Sequence, residues 1–294
     1  SPDGRLLRAA SAVILGAMFV PSDRPRVFFL PPGVPFAAAL AEGLRARLAD
    51  HPPEALARTR LYLNARRTAR AVEAALEAAA PATWLPDLRL VSDLSAEAVA
   101  AGLAEPPSRL ARGFALLAIT EAFLAREPGF GPLYSAPGLA RSLRALLDEL
   151  QAGGVSPADL QALDLEDHAE HWRRSADFLA ILAEHWPRHL AEAEGGAPDP
   201  ETRRRRAVDA LLACWAAAPP ETPVIAAGST GSTPATAALI SAVARLPQGA
   251  LVLPGWDPEM PAEVWAALAE GARPEHPHHH LARLVAGLGL TPED

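Results

Sequence analysis

The sequence predicts an α/β fold in which a parallel sheet is interrupted by an all-helical block. In Pro223–Asp257, an apolar run, a Gly/Ser/Thr loop, an Ala-rich helix and a second apolar run follow one another, as in a βαβ unit. Residues 27–95 show a similar alternation of strand and helix patterns. Residues 96–200 show helical periodicity without a convincing strand. We therefore expect an α/β lobe with a helical insertion, and a return to the lobe at residues 201–294.

The first part of the lobe is predicted from short apolar runs that stop at turn residues. Val27–Leu30 is an apolar strand that ends at Pro31–Gly33. The helix that follows, Phe36–Leu48, carries apolar side chains every four residues along one face. The other predicted elements are a strand at Arg60–Leu63, a helix at Arg66–Ala79 and an extended segment at Trp84–Leu94.

The helical block is predicted from apolar stripes separated by proline and glycine. Its clearest helices are Leu110–Ala125, Leu139–Gln151 and Asp167–Glu194. A further helix at Glu201–Ala218 leads to the strand at Val224–Ala227.

Composition excludes some classes of function. All 27 basic residues are arginine, and the formal net charge is −8 with a pI near 5.6, which argues against general nucleic-acid binding but not against a local basic patch. No apolar run is long enough to span a membrane. The single cysteine, Cys214, excludes an intrachain disulfide, and its apolar helical setting predicts a buried side chain in a cytoplasmic protein.

The N-terminal extension, residues 1–26, has more than one interpretation and need not be native. Residues 1–17 contain two arginines followed by apolar and small residues, which loosely resembles a signal peptide. The alternative is a fragment, or an upstream extension ahead of a natural start at Met18. We expect the chain to be the front of a longer protein.

The loop Gly228–Thr233 is the first candidate site, because ligands of parallel sheets bind at the carboxyl ends of the strands. Either Ser232 or Thr233 is a suitable N-cap, and Pro234 suits the first helical turn. The loop N–H groups are therefore expected to face an anion. The chain contains no lysine, so this loop cannot act as a Walker A motif.

Arginines form the second candidate site. Arg66, Arg67 and Arg70 begin the helix after the second strand, near the same sheet edge, where they contact either phosphates or other protein groups. The run Arg203–Arg206 points in all directions around a helix, which favours solvent or salt bridges, with phosphate contact as the alternative.

Histidines and hydroxyls give weaker signals. His168 with His171 and His185 with His189 have helical spacings that suit zinc, but a polar helix face is the preferred interpretation and no metal site is predicted. His276 and the run 278–280 are predicted to be a solvated flank of a helix at Leu281–Leu288. No nucleophile–base pair or carboxylate dyad stands out, so no catalytic residue is assigned.

Four segments together resemble the front of the AddB family. They are VFFLPPGVPFAAALAEGL, RLYLNARRTARAVEAAL with WLPDLRLVSDL, HWRRSADFLAILAEHWPRHL, and PVIAAGSTGSTPATAALISAVARLPQGALVLPGWD. AddB is the second subunit of a bacterial ATP-dependent helicase–nuclease that processes DNA double-strand breaks for recombinational repair. The resemblance runs from about Val27 to the last residue. It implies a helicase-like lobe of superfamily 1, P-loop-like but degenerate, interrupted by a helical subdomain.

The resemblance also implies roles for particular residues. The Walker A position is Leu30–Pro35, which contains neither Lys nor Ser/Thr, so the nucleotide site is expected to be inactive. The segment at Arg66–Arg70 occupies the place of a helicase motif that contacts single-stranded DNA. Asn64, Arg66 and Arg67 are therefore DNA-contact candidates, with Arg70 and the Gly228, Ser229, Thr230, Gly231, Ser232 and Thr233 loop beside them.

The same resemblance implies partners and leaves a rival open. The partners are an AddA-type motor subunit in a heterodimer and single-stranded or duplex-end DNA. The family's nuclease domain and cysteine-bound iron–sulfur cluster lie downstream of residue 294, so no cofactor is expected in this chain. The rival interpretation is a stand-alone α/β enzyme that binds a phosphorylated small ligand at residues 228–233.

Overall fold

A computed structural model describes residues 18–20, 22–80, 82–126, 135–155, 159, 185–192 and 196–291. The chain forms two compact units. The sheet unit contains residues up to Leu94 and from Val208 onward, and the helical unit contains Ser95–Ala207. The second boundary lies inside a helix, whereas the sequence analysis placed it at residue 201, near the start of that helix.

A five-stranded sheet forms the centre of the sheet unit, with the order β1-β5-β4-β2-β3 and every neighbouring pair parallel. Its strands are β1 (Val27–Leu30), β2 (Arg60–Leu63), β3 (Asp87–Leu90), β4 (Val224–Ala227) and β5 (Gly249–Pro254). The predicted α/β class is confirmed, and the strand at Val224 shares one sheet with the strand at Val27. The extended segment predicted at Trp84–Leu94 is a strand only over its central residues.

Some of the helices alternate with these strands in the sheet unit, and the others form the helical unit. The helices are α1 (Phe36–Arg47), α2 (Arg66–Ala79), α3 (Ser95–Ala100), α4 (Arg109–Arg126), α5 (Ala136–Gly153), α6 (Pro200–Ala217), α7 (Pro234–Arg245), α8 (Ala262–Ala269) and α9 (His279–Gly287). Residues 185–192 are also helical. The remainder of the helix predicted at Asp167–Glu194 lies outside the described residues.

The core of the sheet unit follows from the two-residue period of its strands. One face carries Leu61 and Leu63 of β2 and Ile225 of β4, which pack in one apolar cluster with residues of α1 and α2. The alternate residues, such as Tyr62 and Leu251, lie on the opposite face. Helix α7 packs against β4 and β5. All of β4 is buried, as a central parallel strand requires.

Two arginines, Arg26 and Arg47, stabilise the start of β1. The Arg26 guanidinium donates hydrogen bonds to the carbonyls of Gly249 (2.5 Å) and Val20 (2.8 Å). Burial, and then repulsion from the Arg47 guanidinium, lowers the pKa of Arg26 below its ordinary value. Arg47 itself lies over the Phe28 ring, 4.4 Å from its centroid. These contacts fix the strand that precedes the loop Pro31–Pro35.

Cys214 is exposed, so the predicted burial of this thiol is wrong. It belongs to a run of apolar residues that surrounds the axis of α6, and a helix cannot bury all sides of such a run. Over residues 213–217 only Trp215 is buried.

Candidate nucleic-acid interface at the carboxyl edge of the sheet

The loop after β4 begins beside the end of β2. Leu63 pairs with Ala227 in the sheet register, so the next residues, Asn64 and Gly228, are neighbours. Gly228 has φ +76°, and a Cβ at this position would lie 3.3 Å from Asn64 Oδ1 and 3.3 Å from Phe36 Cε1. Glycine is required here by both the backbone angle and the limited space.

The loop ends as an ordered turn into α7. Gly231 has φ +69°, and a Cβ there would lie 3.0 Å from Ala237 Cα. Thr233 is the N-cap: its Oγ1 accepts from the Thr236 N–H at 3.4 Å and donates to Thr236 Oγ1 at 2.9 Å. Pro234 follows in the first turn. Of the two predicted caps, Thr233 and not Ser232 is therefore the N-cap of α7. The φ angle is positive at both Gly228 and Gly231.

Several donors of this loop remain available to a ligand. The backbone N–H groups of Ser229, Thr230 and Ser232 have no acceptor among the described residues. The Gly231 N–H lies 3.4 Å from Ser229 Oγ, its acceptor. Because the loop leads into the N-terminus of α7, these donors and the helix dipole both favour a bound anion.

Three arginines begin α2 at the same edge. Arg66, Arg67 and Arg70 are exposed, and none has an ion-pair partner among the described residues. The N-cap, Ala65, offers no side-chain acceptor to the first helical N–H groups. Asn64 Oδ1 accepts a 2.8 Å hydrogen bond from Thr68 Oγ1, which orients the amide beside Gly228. The edge therefore combines an amide, free helix donors and guanidinium groups, all suited to phosphate oxygens.

A cavity that the sequence did not predict adjoins the loop. Its volume is about 330 Å³, and it is lined by Thr230–Thr233 and by His280 and Arg283 of α9. His280 and Arg283 are both exposed and lie one helical turn apart. The i, i+3 spacing of His280 and Arg283 is visible in the sequence and places them on one face of a helix. Their position beside the loop follows only from the packing of α9 against α7.

The histidine run before α9 is not the solvated flank that the sequence predicted. His279 is buried, and His278 lies against the edge of the Trp265 ring, with centroids 5.5 Å apart. His278 Nε2 is 2.7 Å from the Gly255 carbonyl, to which it donates. The Trp265 ring and the Gly255 carbonyl thus hold the His278 side chain against the protein, while His280 stays exposed.

The loop after β1 lacks the groups that hold a nucleotide in a P-loop. After β1 the chain turns through Pro31–Pro35, where Gly33 has φ +86°. The N-cap of α1, Pro35, makes no side-chain cap hydrogen bond. The loop offers neither an ammonium group for β/γ-phosphates nor a hydroxyl for Mg²⁺.

The other sequence candidates fall into different environments. Arg203 is buried, donates to the Ala104 carbonyl and pairs with Glu105, and Arg204 pairs with Glu201. His168 and His171 lie outside the described residues. The ring of His189 stacks on Trp186 with centroids 5.5 Å apart. Among the described residues, no group of three His, Cys, Asp or Glu side chains is placed to hold a metal ion. With one cysteine, the chain does not fit a cysteine-ligated cluster.

No protein family and no curated protein matches this chain. Within the part of the chain that the structure describes, no helix is both long and apolar enough to cross a membrane.

Proposed function

We propose that this chain is the N-terminal, non-catalytic region of an AddB-type subunit with a degenerate helicase-like lobe, and that it guides single-stranded DNA along the carboxyl edge of its sheet. The juxtaposition of Asn64 with Gly228, next to the exposed arginines of α2, supports this proposal most directly. In this proposal the chain also serves as a scaffold for an AddA-type motor subunit, which performs the ATP-driven step.

The chemistry of the edge favours a phosphate backbone over a single nucleotide. The Arg66 and Arg67 guanidinium groups can each donate two hydrogen bonds to one phosphate. Asn64 and the loop N–H groups add neutral donors, which fix the position of the strand without adding charge. The loop Pro31–Pro35 carries no lysine, so we expect neither tight ATP binding nor ATP hydrolysis by this chain.

A salt titration tests the proposal. Binding of a fluorescein-labelled oligo(dT) to the 294-residue chain is followed by anisotropy over a series of salt concentrations. Against the net charge of −8 we expect weak binding that falls steeply with salt. The double variant Arg66→Ala/Arg67→Ala removes two phosphate contacts, so the slope of log K against log[salt] should fall by about 1.4.

A matched pair of arginines provides the control. Arg45 and Arg58 are exposed residues of the same unit that lie away from the site, at the end of α1 and before β2. Their double alanine variant should lower the affinity only slightly through net charge and leave the slope unchanged. Equal slopes for the two double variants would contradict the proposal.

A phosphorylated small ligand in the 330 Å³ cavity is the second candidate function, favoured by the position of Arg283 and His280 opposite the loop hydroxyls. Calorimetric titration with pyrophosphate separates the two candidates. If the cavity is the site, Arg283→Ala abolishes pyrophosphate binding and Arg66→Ala/Arg67→Ala does not. If the DNA proposal is right, the α2 arginines have the larger effect on oligo(dT), and pyrophosphate binds weakly to every variant.

A further inference from the structure

Helix α4 has a second apolar stripe that does not belong to the core of the helical unit. Its inward stripe contains Leu116 and Phe123, which are buried against α5 and Trp186. The outward stripe is Leu110, Gly113, Phe114 and Leu117, at the spacing i, i+3, i+4, i+7 of one helix face. Leu110 is 73% exposed and Phe114 is 67% exposed. Single exposed apolar side chains are common on protein surfaces, but here two large ones lie one helical turn apart and form an apolar patch. Such a patch indicates an interaction surface.

The outward stripe forms one wall of a groove. The opposite wall is a stripe of α5 made of Pro137, Ala140, Arg141 and Arg144. The groove has a volume of about 390 Å³. Small residues at Gly113 and Ala140 keep its floor low, and a Cβ at Gly113 would lie 3.9 Å from Arg144 Nη1. The Arg144 guanidinium therefore reaches across the groove toward α4.

The rim of the groove is entirely cationic. Arg109, Arg141 and Arg144 line it, and no Asp or Glu is among the described residues that do so. None of the three arginines has an ion-pair partner among the described residues. Asp148, one turn after Arg144, pairs instead with the buried Arg112 on the inward side. The chain as a whole has a net charge of −8, yet the rim of this groove is positive and its floor is apolar. Charge complementarity therefore favours a negatively charged occupant.

We propose that this groove docks an acidic amphipathic helix of a partner protein. Apolar side chains of the partner, spaced i, i+3 or i+4 and i+7, contact Leu110, Phe114 and Leu117, and its flanking carboxylates pair with the arginine forks. The span from residue 109 to residue 117 is about 12 Å of helix, which accommodates roughly two turns of a partner helix. This surface belongs to the helical unit and is independent of the DNA proposal for the sheet unit.

The lining favours a peptide over nucleic acid. Single-stranded nucleic acid is held by several aromatic platforms that stack on successive bases. The groove has a single aromatic side chain, Phe114, and its other apolar lining residues are aliphatic. Aliphatic side chains between two helices form the kind of groove that accepts a third helix.

Peptide binding tests this proposal on the 294-residue chain. The probe is a fluorescein-labelled helical peptide of about four turns with leucines at i, i+3, i+4 and i+7 and glutamates beside them. A second peptide carries lysine in place of every glutamate, and oligo(dT) is a third probe. Of the two peptides, we expect saturable binding of the acidic one only, and any binding of oligo(dT) at the sheet edge should be unchanged by substitutions in the groove. Phe114→Ala should weaken acidic-peptide binding about tenfold or more, as for a central anchor of an interface.

Charge reversal provides the sharper test. In the triple variant Arg109→Glu/Arg141→Glu/Arg144→Glu, the acidic peptide should no longer bind and the lysine peptide should bind instead. Matched controls in the same unit are Val99→Ala, at a residue 64% exposed, and Arg205→Glu, at an exposed arginine of α6. Neither should change peptide affinity. Circular dichroism of each variant verifies that the helices remain folded.

Four outcomes would overturn the proposal. Equal binding of the acidic and lysine peptides would show an unspecific apolar surface. Retention of acidic-peptide binding by both Phe114→Ala and the triple variant would place the peptide elsewhere. Binding of oligo(dT) that is lost in the triple variant would make this face a nucleic-acid surface. A shift of the chain to a dimer that Phe114→Ala abolishes would make it a self-association surface and would also reject an acidic partner.

Discussion

The two units bury different kinds of side chain. In the sheet unit the large cluster under β2, β4 and β5 consists of apolar side chains such as Leu61, Leu63 and Ile225. In the helical unit the core also contains charge. Among the described residues, every buried Asp, Glu or Arg belongs to this unit, and they are Glu97, Arg112, Asp199 and Arg203.

One carboxylate connects most of the described helical segments. Asp199 Oδ2 accepts from Gln151 Nε2 of α5 and from Trp186 Nε1, both at 2.7 Å. Its Oδ1 lies 3.0 Å from Arg112 Nε of α4, and its backbone carbonyl accepts the Arg203 N–H of α6 at 2.8 Å. Asp199 is only 3% exposed, so its polar contacts are with these protein groups and not with water.

The contrast has a physical reason. A parallel sheet fixes its register through the backbone ladder, and apolar side chains then need only fill the space between layers. Helices satisfy their own backbone, so apolar contacts alone allow them to rotate or slide. A buried carboxylate with two specific hydrogen-bond donors and one ion-pair partner permits one arrangement, which is a role for buried polar groups that we propose for this unit.

Removal of the Asp199 carboxylate should have the largest effect on stability. Asp199→Ala leaves the Arg112 guanidinium buried opposite an apolar side chain and removes the acceptor of Trp186 and Gln151. We expect a loss of about 3–5 kcal/mol in the free energy of unfolding, measured by urea denaturation. The control is Asp148→Ala, because Asp148 also pairs with Arg112 but its side chain is 46% exposed, and it should cost at most about 1 kcal/mol.

A double-mutant cycle separates charge from packing at the same position. Arg112→Met should cost less in an Asp199→Asn background than in the unmodified chain, because the charge opposite it has already been removed. If the two costs are equal, the Arg112–Asp199 pair carries no coupling. The helical unit would then be stabilised as the sheet unit is, by apolar packing alone.

In the sheet unit, a backbone position should be more sensitive than any charge. Gly231→Val places a β-branched side chain at φ +69° and against Ala237 Cα of α7, so we expect a loss of about 3 kcal/mol. Gly271→Val is the matched control: it has φ +93° with open space around its Cβ, and should show backbone strain alone, about 1–2 kcal/mol. Equal melting temperatures for the two variants would show that the contact with α7 contributes nothing.

The sheet unit could be predicted closely from sequence, because its signals are local. Val27–Leu30 and Val224–Ala227 are short apolar runs that end at proline or glycine, and the structure has strands at the same residues. The helix at Arg66–Ala79 was also predicted at its observed bounds. The candidate loop was placed correctly because the carboxyl ends of parallel strands share one edge.

The remaining features depend on residues that are distant in sequence. Nothing in the sequence near Asp199 indicates that Gln151, Trp186 and Arg112 converge on its carboxylate. Arg283 joins the loop cavity only because α9 packs on α7. Asp148 of α5 pairs with the buried Arg112 of α4, and only the packing of these two helices brings the pair together. Which side of a helix meets another segment is decided by tertiary packing, which periodicity alone does not specify.

The smallest expected effect concerns the cap at the end of the loop. Thr233→Ala removes the side chain that accepts from the Thr236 N–H and leaves that donor of the buried α7 terminus unsatisfied, at a cost of about 1 kcal/mol in thermal melting. Ser232→Ala is the matched control, because Ser232 is exposed and does not cap α7, and its melting temperature should be unchanged. If Ser232→Ala has the larger effect, the cap is misassigned. If neither variant melts earlier, the loop is held by Gly231 and Pro234 alone, and the sheet unit depends even less on side-chain polarity than the comparison with the helical unit indicates.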